Sequence, residues 1–203
     1  MASGAVPRDY LVLATSAIGR AQRRPNAQLV GVQEVNQAAG DAAASKIQEL
    51  EEDMASNAGS ADATLGTLKA VRTFCLKDRG FTYFLVAFRD REDHPASYTL
   101  LTYLMDVRLL HLVDAGVSDA HSAGHRSEAF MLDLSQYSGA RLKQKVRVPD
   151  FAAGHFVSRE THGSGPTKIA RTTRELISML RGAPTLDLQT LTAAVSGTTS
   201  API

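Results

Sequence analysis

Apolar residues recur at intervals of three and four through the first quarter of the chain, the period of a helix with one buried face. Leu11, Ala14, Ala17 or Ile18, and Ala21 predict a helix from Pro7 to about Arg24. Pro7 suits its first turn, where a missing amide proton costs little, and Pro25-Asn26 ends it. Val35, Ala38, Ala39, Ala42, Ile47, Leu50 and Met54 predict a second, alanine-rich helix from Val32 to about Met54. The small and polar run Ser56 to Ser60 reads as a linker. Beyond it, Leu65, Leu68, Val71 and Cys75 mark a third helix ending near Gly80, with Lys77 and Arg79 suited to its negative end.

The period then changes. Phe81 to Phe88 is aromatic and β-branched enough to predict a buried strand, followed by a charged turn from Arg89 to His94. Tyr98, Leu101, Met105 and Leu109, beside Leu100, Leu104 and Val107, predict a helix from Pro95 to Leu110. His111–Val117 and Ser127–Tyr137 read as paired strands whose polar connection is bracketed by Gly116 and Gly124. Helix, strand, helix, strand, long polar loop, strand is the layout of a winged helix, with the last hairpin as the wing. An ordinary α+β domain with an incidental hairpin is the competing assignment. After Tyr137 the pattern weakens: residues 141–166 carry Gly and Pro without sustained period, Thr167–Arg181 reads as one more helix, and the tail around Ser196–Ser200 as mobile. The expected fold is therefore mainly α with a small β-sheet. A helical lid-like segment (1–55) precedes a winged-helix-like domain (62–140) and a basic C-terminal extension (141–203).

Composition narrows the function classes. With 22 basic and 21 acidic residues the net charge is +1, so no global excess of positive charge drives nucleic-acid binding and any contact must come from local patches. One cysteine excludes an intrachain disulfide framework and fits a reducing compartment. No signal-peptide pattern or membrane-spanning apolar run is present, so a cytoplasmic protein with no membrane partner is expected.

Local charge is more informative. Between Arg141 and Arg181 nine Lys or Arg stand against three acids, and Arg141-x-Lys143-x-Lys145-x-Arg147 alternates, so an extended chain shows four cations on one side. Such a row neutralises phosphates without reading bases; a solvated strand edge is the alternative. His121 and Arg126, with His125, fall on the proposed wing and are candidate DNA contacts. His111, His121 and His125 also raise a metal site, but no motif fixes a third ligand, so none is assigned. Cys75 sits on an apolar helix face and reads as core packing.

The opening Ser3-Gly4-Ala5-Val6-Pro7-Arg8-Asp9, followed by an amphipathic helix, resembles the Gly-x-Pro-Arg signature that begins the sensor-2 helix of AAA+ ATPases. With Leu104-Met105-Asp106-Val107-Arg108-Leu109-Leu110-His111-Leu112-Val113 and Gly124-His125-Arg126-Ser127-Glu128-Ala129-Phe130-Met131-Leu132-Asp133, residues 3 to 140 are similar to the C-terminal portion of bacterial AAA+ ATPases related to the origin-recognition and cell-division-control initiators. The resemblance implies that Arg8 senses nucleotide phosphates and that a DNA-binding winged helix follows the lid. The alternative for Arg8 is a solvated first-turn charge. The chain departs from that family in lacking a phosphate loop and an acidic magnesium motif, so no ATP hydrolysis by this chain alone is expected, and ATP enters as a cofactor only if an ATPase core is supplied elsewhere. Gly163-Ser164-Gly165-Pro166-Thr167-Lys168 has the wrong spacing for such a loop.

The function expected from sequence is thus a non-catalytic DNA-binding module of weak sequence specificity. The alternative is a docking module within an ATPase-containing complex, whose partner is an ATPase core or other subunit. The acidic stretch Glu49–Asp53, which repels DNA from its own side, weighs toward the alternative.

Overall fold

Residues 7–25, 29–53, 58–118, 124–137, 145–152, 154–161 and 165–191 are described by the computed structural model. Helix α1 (Pro7–Gln22) packs antiparallel on α2 (Val32–Asp53) through small residues: Leu13, Ala17 and Ala21 at every fourth position, against Ala38 and Ala39. Of the positions whose spacing marks the helix, Ala17 and Ala21 are buried as expected, whereas Leu11 and Ile18 point outward. Beside this small apolar contact, the pair is joined by the salt bridges Arg20–Asp41 and Arg24–Glu34 near the turn and by Lys46–Asp9 toward the far end.

Helix α3 (Ala58–Thr73) begins within the stretch read as a linker and runs into a wider turn, Phe74–Arg79. Gly80 closes it with φ +68, donating its N–H to the Cys75 carbonyl; a Cβ there would meet the Lys145 carbonyl at 3.0 Å. Strand β1 (Tyr83–Ala87) follows. The expected charged turn is instead a short helix, α4 (Phe88–Asp93), and the next helix, α5 (Pro95–Asp106), stops four residues early because Arg108 takes a left-handed φ of 58. Strands β2 (Leu110–Ser118) and β3 (Arg126–Leu132) pair antiparallel, and β1 joins the free side of β3, giving the order β1-β3-β2. The second strand ends at Leu132 rather than Tyr137. There Asp133 accepts from the Ser135 amide and starts a tight helical turn, Leu134–Gln136.

Residues after 145, expected to lack regular structure as far as Pro166, form a second antiparallel sheet. Its strands are β4 (Arg147–Ala152), β5 (His155–Glu160) and β6 (Lys168–Ala170), in the order β4-β5-β6. The expected C-terminal helix is α6 (Thr173–Leu180), shorter than the pattern indicates, because Thr172 and Glu175 close a reciprocal capping box at its start. The tail at 196–200 lies outside the described residues.

Alternation along β1 and β3 explains the architecture. Phe84, Val86, Phe130 and Leu132 face α3 and α5, whereas Tyr83, Leu85, Ala129 and Met131 face the second sheet and α6. Strands β1 and β3 are buried on both faces, which is why Phe81–Phe88 reads as a continuous apolar run. The segment 184–191 covers the remaining edge of β1: Leu85 donates to the Pro184 carbonyl at 2.9 Å and accepts from Leu186 at 2.8 Å. Leu186, Leu188 and Leu191 complete the first core. The fold is mainly α with small antiparallel sheets, an α+β arrangement. Among the described residues no helix is long and apolar enough to cross a membrane.

Candidate functional site

The residues singled out from sequence do not gather at one place. Arg8 lies in the first turn of α1, its side chain outside what is described; His121, Arg141 and Lys143 also lie outside the described residues. Lys145 is exposed and faces Glu160 at 3.7 Å. Arg147 stacks its guanidinium over the Phe81 ring at 4.9 Å, while its backbone bonds to Gly80 and Thr82. The part of the alternating basic row that is described is therefore occupied by contacts within the chain.

His125 and Arg126 are exposed where β3 begins. Ser118, at the end of β2, lies directly opposite Arg126 in the antiparallel register, so the two side chains share a face. Arg126 extends along that face until its guanidinium lies over Gly116, which has no side chain to block it. From α6, Arg181 reaches the same spot: its Nε donates to the Ser118 carbonyl at 2.6 Å, and a terminal nitrogen donates to the Ser118 hydroxyl. Neither arginine has a carboxylate within salt-bridge distance among the described residues. Arg174, seven residues before Arg181, lies on the same side of α6, and Lys168 and Arg171 are exposed just upstream. Glu175 is the acid of this region. Backbone N–H groups of Arg171 and Thr172 hold its carboxyl below the usual glutamate range, engaged in the helix cap.

This cationic strip is assembled by tertiary structure. Arg181 and Ser118 are 63 residues apart, so no local pattern marks the arginine as more than one of nine cations. By contrast α5 has no Lys, Arg, Asn or Gln. The hydroxyls of Thr99 and Thr102 turn back to the Pro95 and Thr99 carbonyls.

A second constellation lies where the α1–α2 hairpin meets the body. Lys46 donates to Asp9 Oδ2 and to the Arg108 carbonyl, both at 2.9 Å, and lies 3.5 Å from Asp133. Arg108 approaches Asp9 Oδ1 at 3.3 Å, and His111 Nε2 meets Asp133 Oδ2 at 2.8 Å. Burial pushes the Asp133 carboxyl up, but the His111 hydrogen bond, the Lys46 charge and the Ser135 hydroxyl outweigh it and leave the group below the usual aspartate range. A cleft of about 300 Å³ opens above this network between α1, α2 and Ser135. Each charge in the network has an opposite partner, so it fastens the hairpin rather than presenting a free group to a ligand. Of the three histidines considered as a metal site, His111 is held by Asp133 through Nε2, and His121 lies outside the described residues. No group of three or more metal-ligating side chains is found among the described residues. The Cys75 thiol is fully buried, and burial pushes its pKa far up, as expected of a core residue.

Comparison of the chain with protein-family models, with curated proteins and with solved structures finds no match.

Proposed function

We propose that the chain is a non-catalytic, winged-helix-like module that contacts duplex DNA through its phosphates and reads bases little. The observation that carries this is the Arg126–Arg181 pair around Ser118: two fixed cations beside a hydroxyl, with no carboxylate in salt-bridge distance among the described residues, one on the β2-β3 hairpin and one reaching it from the end of α6. Guanidinium groups stay charged and donate several hydrogen bonds in a planar fork, which suits a phosphate diester. Support for the winged-helix assignment comes from the order α3, β1, α4, α5, β2, β3 and from β1 lying against β3. The polar poverty of α5 supports weak sequence specificity, since base edges are recognised by amide and cationic side chains. The resemblance to AAA+ initiators adds a role for Arg8 toward nucleotide held by an ATPase core outside this chain, in the cytoplasm.

The test is binding of the purified chain to duplex DNA across a salt series, wild type against Arg126→Gln/Arg181→Gln, with folding checked by circular dichroism. Loss of two phosphate contacts should reduce the slope of log affinity against log salt by about 1.8, at about 0.9 per contact. Equal affinity and slope in the folded variant would reject the proposal.

A protein-docking role is the second reading. It is favoured by the cluster of exposed apolar side chains on the α1–α2 hairpin.

A further inference from the structure

Of nine large apolar side chains left exposed among the described residues, seven lie between Tyr10 and Val32. Scattered exposure of this kind is ordinary, but concentration on one hairpin is not. On α1, Leu11 is 63% and Ile18 47% exposed. With Ala14 and Thr15 between them they stand at positions i, i+3, i+4 and i+7 of a helix, forming a seam beside the face that buries Leu13, Ala17 and Ala21.

We infer that the occupant of this seam is a second copy of the same chain, its α1 antiparallel to the first about a two-fold axis between Ala14 and Thr15. The spacing is self-complementary. Leu11 of each copy meets Ile18 of the other, and at the centre Ala14 of each meets Thr15 of the other, both short enough to let the helices approach. Charge selects the direction. At the turn end of the hairpin Arg20 and Arg24 pair with Asp41 and Glu34 and leave Arg23 exposed as the net cation, whereas the far end of α2 exposes Glu49, Glu51 and Glu52. Antiparallel copies bring basic ends toward acidic ends; parallel copies would set like against like. The seam is one helix wide, well short of the roughly twenty to thirty residues a side of a standard interface, so the association is weak and concentration-dependent.

Sedimentation equilibrium of the full chain over a wide concentration range tests this. A monomer–dimer equilibrium is expected, weakened by salt and weakened at least about 100-fold by Leu11→Glu/Ile18→Glu, with the fold of the variant checked by circular dichroism. Mild oxidation of a Thr15→Cys variant should give a covalent dimer, since that position lies next to the axis in both copies; Ala44→Cys, exposed on α2, should not. A chain that stays monomeric throughout, or a dimer unaffected by the glutamates, overturns the inference. If the glutamate variant does not fold, the cysteine pair decides: cross-linking through Ala44→Cys but not Thr15→Cys, or through neither, overturns it. DNA binding is not a readout here, so this test stands apart from that of the DNA-contacting role.

Discussion

Lys46 is only 7% exposed, and two carboxylates and a carbonyl oxygen surround its ammonium, the partners a buried cation requires. Asp9 and Asp133 depend on it in turn: with the ammonium removed, Asp9 keeps Arg108, and Asp133 keeps His111 and its hydrogen bonds from Ser135. Lys46→Met keeps most of the buried stem and deletes the charge, so the cost is that of stranding buried carboxylates, about 3 kcal/mol. Urea unfolding should register that loss, and a change below about 1 kcal/mol would show that the network is not holding the hairpin. Asp133 also makes stability depend on pH. Its folded pKa is depressed, so the unfolded chain binds more protons between the two values and stability rises with pH there. The contribution is complete above the ordinary aspartate value of about 4 and is lost as pH falls through the lower folded value. The stability gap between wild type and Asp133→Asn should therefore be widest near neutrality and shrink below about pH 4. A gap independent of pH would mean that Asn replaces the carboxylate only as a hydrogen-bonding shape.

At the scale of elements, what is legible in the sequence is what a local period can encode. The helices near 7–22, 32–53 and 95–106 and the antiparallel pairing of β2 with β3 follow from spacing alone, whereas the face that α1 buries follows only in part, at Ala17 and Ala21. Leu11 and Ile18 are larger than Ala17 and Ala21, yet the alanines are buried, because close approach of two helices favours small side chains. Strand β4 leaves no readable pattern because Pro149 interrupts it. Proline is tolerated there since β4 is an edge strand of β4-β5-β6. The basic row alternates as the sequence indicates, but β4 is tied on one side to β5 and on the other to the chain entering β1, so Arg147 turns onto Phe81. The Arg126–Arg181 pair is half visible in the sequence: Arg126 stands out beside the hairpin loop, while Arg181 acquires its meaning only when α6 packs near the end of β2.

Across the whole molecule, the C-terminal segment decides whether the rest is stable. Residues 184–191 hydrogen-bond both ways with Leu85, the Leu188 amide donates to Asp90 at 2.7 Å, and Leu186, Leu188 and Leu191 fill the core beneath β1. Ending the chain after Gly182 would bare the edge of β1 and empty three leucine sites of the first core. Each such site costs about 2–5 kcal/mol even when truncated only to alanine, so the sum reaches the roughly 5–15 kcal/mol total stability of a domain of this kind. The truncated chain should therefore lack a cooperative thermal transition, while Leu188→Ala alone should keep one at a lower midpoint. Circular dichroism melts of the three proteins, supported by limited proteolysis, make the comparison. A truncated chain that melts cooperatively within a few degrees of the full one would mean that α3, α5 and the β1-β3-β2 sheet stand without this cover.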